Sequence, residues 1–477
     1  MFNSFKEGWE EAGRGAANLK NDFATCYTNT PAMLQTLVGL IHRPYTAMVM
    51  GPNPWLRLYL MPPYDRKKFD MLVADFSAGL TVGLCLVPQG LAYASLANLP
   101  AINGLYAAVL QPTLYAIFGT SNCLAVGPVA IVSLLTAALV NKYGLKAGSP
   151  DAVNLAAEAC LGMGTILVLM GVLNLGSFIR FLSHPVISGF TSAAAMLIGL
   201  SQVKSAFNFQ GVPQVGDLTN GVEYQYQQMQ WYVANWNAKV NVKKWGMINQ
   251  VNPYAVALWV GVYIPLIIVN QIKQNIKVTS EQKTTWLYAL WSFFTSVLPL
   301  IAIIITANVT YRIVSNNPND AYAQTLKIVG NITPGLNLLA VPNMKYNFGT
   351  IIGDVFPLTL IGFMESYSVA RKIATSRNEL HQLDASQELF AVGCANIIGA
   401  ISSGYPVSGS YSRSSLAFTS GAQTPMASVV TMFIVVTALG ALTGSFFYIP
   451  QAALAGRSNF TATCPSRLHC PCRLHGP

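Results

Sequence analysis

Apolar residues run along this chain in long blocks that charge does not interrupt. No charged side chain occurs from Phe76 to Asn141, from Trp245 to Ile272, from Thr284 to Tyr311 or from Ser414 to Gly456. A helix that crosses the hydrocarbon of a bilayer needs about 20 mostly apolar residues, so each block holds one long span or several. The pattern predicts spans near 76–98, 103–119, 123–140, 156–176, 179–203, 253–272, 286–310, 350–370, 388–403, 409–421 and 425–448. An all-α polytopic membrane protein follows. The first residues read differently: Phe2, Phe5, Trp9, Ala12, Ala16, Leu19 and Phe23 recur at three- and four-residue steps, interrupted by Gly8, Gly13 and Gly15. That spacing makes one apolar helical stripe, expected to dock on the protein's own cytosolic face in preference to lying on the lipid surface. The stretch lacks the apolar core and small-residue cleavage site of a signal peptide.

Composition narrows the class. Of the 477 residues 52% are hydrophobic and only 10% charged, against about 25% charged in soluble domains. Disorder, nucleic-acid arms and a conventional soluble enzyme are excluded as the main body. The net charge of +10 is read as Lys and Arg in loops that face cytoplasm and anionic lipid. With Arg66-Lys67-Lys68 inside, alternation of the spans also puts Arg180, Lys273, Lys277, Lys283, Arg371, Lys372 and Arg377 inside. The loops 205–250 and 312–347 then fall outside, and Asn331-Ile332-Thr333 in the second is a glycan acceptor triplet. Cys85, Cys123, Cys160 and Cys394 lie in apolar segments and are expected to act as small hydrophobes.

Candidate chemistry sits where spans break. Gly127-Pro128 interrupts one in the first half, and Gly404, Pro406 and Gly409 interrupt another in the second. Matched breaks in two halves point to a transporter site built from discontinuous helices. Asp75 with Gln89, and Asp354 with Glu365, give a fainter second match. A helix that starts in mid-membrane exposes unpaired N–H groups and about half a positive charge, so two facing starts suit a small anion. Ser410 and Ser412 add hydroxyls, and Arg413 a full charge. An arginine at depth costs at least about 2.5 kcal/mol on insertion scales, so Arg413 is expected to face a wet cavity, an anion or a carboxylate. Glu365 is the most isolated acid in any span; it either takes up a proton or cation, or closes a static pair with Arg413 or Arg371. Gln89 and Tyr93, four apart, share one helix face. No span carries a nucleophile–base pair, a metal motif or a cofactor loop, so no enzyme activity, cofactor or metal is expected.

Several of these residues belong to recognisable motifs. Leu86-Val87-Pro88-Gln89-Gly90-Leu91-Ala92-Tyr93-Ala94 resembles the first-span signature of the SulP family, the sulfate permease and anion-exchanger group. Leu99 to Tyr106, Gly119-Thr120-Ser121, Val126-Gly127-Pro128, Asp384 to Leu389, Gly393, Asn396, Gly399 and Gly409 to Arg413 follow in family order. Asn122 and Asn103 depart from the residues frequent there. The resemblance implies a seven-plus-seven inverted-repeat transporter fold with core and gate domains that move as an elevator. Matched residue by residue, it implies an anion site made by Gln89, Tyr93, Val129, Ser410, Ser412 and Arg413, with Glu365 as the coupling acid.

The division expected from it is a cytosolic region 1–70, a SulP-type transmembrane domain 71–455 and an atypical tail 456–477 without a STAS domain. The chain is thus read as truncated near the twelfth span, since the residues after Gly456 are too polar to cross a bilayer. The spacing of Cys464, His469, Cys470, Cys472 and His475 matches no common zinc site. The implied function is secondary active transport or exchange of small inorganic anions, sulfate first, with bicarbonate, chloride and oxalate as alternatives. Other readings are an anion channel or membrane motor, a nucleobase-type permease, and an inactive short form acting through dimerisation. The expected partners are a small inorganic anion, a proton for coupling, the lipid bilayer of the plasma or an organellar membrane, and a second copy in a homodimer. Nucleic acid is not among them.

Overall fold

The computed structural model describes residues 66–176, 202–203, 205–208, 252–275, 286–316, 320–330, 342–343, 345–346, 348–379, 383–441 and 446–463. The amino-terminal stripe, nearly all of the span expected at 179–203, Arg180, the Asn331 triplet and the cysteines and histidines of the tail lie outside these residues. The helices in chain order are α1 (Arg66–Leu96), α2 (Ala101–Tyr106), α3 (Leu110–Phe118), α4 (Ala130–Lys142), α5 (Pro150–Val172), α6 (Pro253–Asn275) and α7 (Trp286–Asn316). They continue as α8 (Ala321–Thr325), α9 (Phe348–Ser376), α10 (Ala385–Ile401), α11 (Tyr411–Thr419), α12 (Met426–Ala441) and α13 (Gln451–Thr463). The strands are β1 (Val126–Gly127) and β2 (Ser408–Gly409). Among the described residues, five helical stretches are long and apolar enough to cross a bilayer: Lys68–Leu96, Ala101–Phe118, Pro150–Val172, Pro253–Ile272 and Val297–Asn316.

Local chemistry explains where elements differ from the hydrophobic pattern. The span expected at 103–119 is two helices, α2 and α3. Pro112 has no N–H for the carbonyl of Ala108, and the ladder tightens, with Ala108 and Val109 donating three residues back to Leu105 and Tyr106. Helix α5 starts at Pro150, earlier than the apolar run suggests, because Ser149 caps it by accepting from the Ala152 N–H at 3.2 Å. Asp384 caps α10 in the same way, accepting from the Ser386 N–H at 2.9 Å. Helices α5 and α10 lie close along their length, and a Cβ on Gly164 would stand 2.8 Å from the Gly393 carbonyl oxygen.

Buried carboxylates fasten the ends of these helices to one another. Asp75 in α1 accepts from the N–H groups of Gln423 and Thr424 at 2.6 and 3.0 Å, and from the Thr424 hydroxyl at 2.5 Å, just before α12. Glu158 in α5 accepts from the N–H groups of Lys345 and Tyr346 at 2.8 and 3.1 Å, just before α9. Glu388 in α10 accepts from the N–H and hydroxyl of Thr120, the N–H of Ser121 and the hydroxyl of Tyr115. Each acid therefore pairs orphan donors that would otherwise be desolvated. The two asparagines that depart from the family pattern are also engaged: Asn103 donates to the Ser403 carbonyl at 2.7 Å, and Asn122 to Glu379 at 3.2 Å.

Two cysteines are more than small hydrophobes. Cys160 donates to the Asn396 carbonyl at 3.1 Å, and Cys123 accepts from Arg377 at 2.7 Å. At the carboxyl end, the sequence places the last ordered apolar run before Gly456. Helix α13 instead continues to Thr463, with Arg457 and Asn459 buried and Gly456 against the Trp259 carbonyl of α6.

Candidate functional site

The two breaks predicted from glycine and proline meet. Strands β1 and β2 pair antiparallel, Val126 opposite Gly409 and Gly127 opposite Ser408. The ribbon is extended by Ser410 N–H donating to the Ala125 carbonyl at 3.0 Å and by the Ala125 N–H donating to the Ser414 hydroxyl at 2.8 Å. A helix follows each strand, so α4 and α11 leave in opposite directions with their N-termini at the shared ribbon. Neither crosses a bilayer alone: 13 and 9 residues make helices of about 20 and 14 Å against about 30 Å of hydrocarbon. Gly127 holds φ at +150°, a conformation that side-chain-bearing residues rarely adopt. A Cβ there would also stand 3.2 Å from Nη2 of Arg413.

Non-helical backbone at membrane depth must find partners inside the protein. Neighbouring helices supply them. Asn396 of α10 accepts from the Val407 N–H at 2.9 Å and donates to the Val407 carbonyl at 3.2 Å. Gln111 of α3 donates to the Tyr405 carbonyl at 3.2 Å, and the Tyr405 hydroxyl is 3.1 Å from that of Ser133 in α4. From α9, Ser366 accepts from the Gly409 N–H at 2.7 Å, while Glu365 accepts from the Ser408 hydroxyl at 3.1 Å. The sequence reading missed Gln111, Ser366 and Tyr405. Gln111 carried a signal as an amide in a mostly apolar run, whereas Ser366 and Tyr405 stand among other polar residues and carried none.

Where the ribbon gives way to helix, the pattern reverses. The residues that open α4 and α11, Val129 and Ser410, have extended backbone, yet neither helix has a side-chain cap, whereas α5 and α10 do. The Ser410 hydroxyl turns to that of Ser412 at 3.3 Å, and Ser412 is exposed. Arg413 is 1% exposed. Its Nη1 donates to the Pro128 carbonyl at 2.7 Å, tying the start of α11 to that of α4. Its Nε and Nη2 have no hydrogen-bond partner among the described residues. Gln89 donates to the Tyr93 hydroxyl at 2.8 Å from α1, with Pro88 inside the helix one residue earlier.

Of the sequence-predicted residues, Val129, Ser410, Ser412 and Arg413 thus gather at the two helix starts with Gly127, Pro128 and Gly409. Tyr93 lies within electrostatic range of Arg413 and brings Gln89 with it. Pro406 lies in the run that leads to β2. The static pair for Glu365 does not form: among the described residues it makes no ion pair with Arg413 or Arg371. The fainter match also resolves differently, since Asp354 pairs with Lys142 at 2.7 Å at the end of α4.

The model of the sulfate permease family matches residues 72–457, an interval that takes in both breaks and every site residue above. The chain belongs to the sulfate permease family. It is 34% identical over 409 residues to sulfate transporter 4.1, chloroplastic, of Arabidopsis thaliana, covering 84% of this chain and 51% of that protein. It is 31% identical over 397 residues to high affinity sulfate transporter 2 of Stylosanthes hamata, covering 82% of this chain and 54% of the other. The chain spans about half the length of the curated relatives it matches. The fold is that of the murine Solute Carrier 26 family member A9 anion transporter in its inward-facing state, at a TM-score of 0.69 and 20% identity over 87% of this chain and 63% of that one. The transmembrane domain of the cyanobacterium bicarbonate transporter BicA matches at a TM-score of 0.62 and 19% identity, over 83% of this chain and 90% of that one. This sulfate permease family member is accordingly an integral, multi-pass membrane protein.

Proposed function

We propose that the chain carries small inorganic anions, sulfate first, across the membrane as a secondary active transporter or exchanger, and that the anion sits between the starts of α4 and α11. The observation that supports this most directly is the pair of uncapped helix N-termini, held face to face by a two-strand ribbon, with a buried guanidinium whose Nε and Nη2 are unpartnered beside them. Each start presents orphan N–H groups and about half a positive charge. Arg413 adds one full charge in a place where water does not screen it. A desolvated anion exchanges its water for these donors, and the protein rids itself of open donors at the same time. The relatives' names as sulfate transporters agree with the reading.

An elevator motion fits the wiring. The ribbon is bonded to α3, α9 and α10, so it is carried with them, while α13 packs chiefly on α6. In this reading residues 71–455 form the transport domain, with Gln89, Tyr93, Val129, Ser410, Ser412 and Arg413 on the anion and Glu365 as the coupling acid. Glu365, bonded to Ser408 of the ribbon, takes up a proton as the anion binds and offsets its charge. A second copy completes a homodimer.

The test is uptake of labelled sulfate into vesicles holding the purified protein. Arg413→Gln should abolish uptake at an unchanged level of folded protein; unaltered affinity and rate would reject the site. Glu365→Gln should flatten the pH dependence of transport, and a preserved acid optimum would place the coupling proton elsewhere.

A further inference from the structure

Among the described residues, Arg457 is the one buried charge that neither the fold nor the proposed site absorbs. It lies in α13 and is 5% exposed. Its Nε and Nη1 have no hydrogen-bond partner, and no carboxylate pairs with it among the described residues. It bonds the side chain of Cys85, which precedes Gln89 and Tyr93 by four and eight residues on one face of α1, and it lies within electrostatic range of Tyr93 and of Arg413. A thiol is a weak acceptor and leaves most of the guanidinium unsatisfied. Two buried like charges, each with open donors, therefore approach one another from α11 and α13 with Tyr93 near both. Such an arrangement is unfavourable when empty. An anion that accepts from both removes the repulsion and the unpaired donors together.

We infer that Arg457 is a second cationic contact for the anion, presented from α13 to the pocket that Arg413 faces from α11, and that the pair favours a divalent oxyanion over a monovalent ion. The inference rests on the proposed site at the α4 and α11 starts. A dianion between two guanidiniums is neutralised and has acceptors for both forks. A single negative charge leaves one guanidinium uncompensated, so the discrimination is one of charge and not of size.

The experiment uses the full chain, purified in detergent. Binding of labelled inorganic sulfate and the thermal-stability shifts given by sulfate and by chloride are measured for wild type, R457Q, R457K and R413Q. R457Q should weaken sulfate about tenfold or more, the scale of one charge-assisted contact, and change the chloride response by less than about threefold. R457K should keep most of the sulfate affinity. Without ligand, R457Q should melt at the wild-type temperature or above it, because a repulsion has been removed. Wild-type sulfate binding by R457Q together with its loss in R413Q overturns the Arg457 contact and spares the site. Wild-type binding by both variants overturns the site itself. A lowered ligand-free melting temperature in R457Q and R457K alike makes Arg457 structural and also overturns the inference.

Discussion

Glu388 offers a sharp test of how the helix ends are fastened. Its carboxylate is 1% exposed and accepts at 2.8 Å from the Thr120 N–H, 2.6 Å from the Thr120 hydroxyl, 3.1 Å from the Ser121 N–H and 2.9 Å from the Tyr115 hydroxyl. Three of these donors converge on one oxygen, and Tyr115 takes the other. Glu388→Ala removes every acceptor at once. Thr120 is partly exposed and can turn its donors to water. The Ser121 N–H and the Tyr115 hydroxyl belong to buried residues, and each unsatisfied group costs about 1–3 kcal/mol, giving about 2–6 kcal/mol in all. Glu388→Gln keeps the shape. Its carbonyl can face the three-donor side and its amide can donate to the Tyr115 oxygen, so besides charge assistance only the Tyr115 proton loses its acceptor, about half the cost of Glu388→Ala.

Two assays read this difference. Thermal unfolding of the purified protein, followed by tryptophan fluorescence, should rank wild type highest, Gln between and Ala lowest. Cys123, two residues beyond Ser121 and buried, should react faster with a maleimide in the Ala variant, in a background where the other cysteines are replaced. Equal midpoints and equal Cys123 labelling in Gln and Ala would refute the role given to the carboxylate.

Other substitutions should separate the ribbon from the surface. Gly127→Ala should cost about 1–3 kcal/mol of strain for its backbone and displace Arg413, so sulfate uptake should fall by more than the melting temperature accounts for; full uptake would mean the ribbon tolerates a Cβ. Asn396→Ala leaves the N–H and carbonyl of Val407 unpaired and should destabilise by about 2–4 kcal/mol, read as a lowered unfolding midpoint in detergent. Asp354→Asn breaks the Lys142 pair, whose side chains are 36% and 18% exposed. An ion pair of that kind contributes under about 1 kcal/mol, so the midpoint should stay within error and a marked fall would show that the pair is screened less than its exposure suggests.

Much of this architecture is legible in the residues. Uncharged runs mark membrane helices because charge is costly in hydrocarbon, and Gly127, Pro128 and Pro406 mark the breaks because they cannot sustain a helical ladder. Arg413 stands out as a lone cation beside a serine cluster. The rest depends on contacts between residues far apart in sequence, which periodicity does not carry. Nothing near Asn396 announces that its amide will serve the backbone of Val407. Nothing near Glu388 announces that it will collect the donors of Thr120 and Ser121. Helix α13 is the clearest case of tertiary context overriding local polarity: Arg457 and Asn459 argue for exposure, yet both are buried in a helix that packs on α6.

The distribution of satisfied and open polar groups carries the functional argument further than any single residue. Asp75, Glu158 and Glu388 are each saturated with donors from helix ends. The guanidiniums of Arg413 and Arg457 are not saturated with acceptors, although both are more deeply buried than an unpaired charge tolerates without compensation. A protein interior that needed these arginines only for packing would have placed one of its buried carboxylates against them. Instead the acids are spent on loops, and the open donors of Arg413 are left beside two uncapped helix starts, with Arg457 within electrostatic range of them. That asymmetry is what the proposed site would require, with a small anion entering between α4 and α11 as the acceptor from outside the chain.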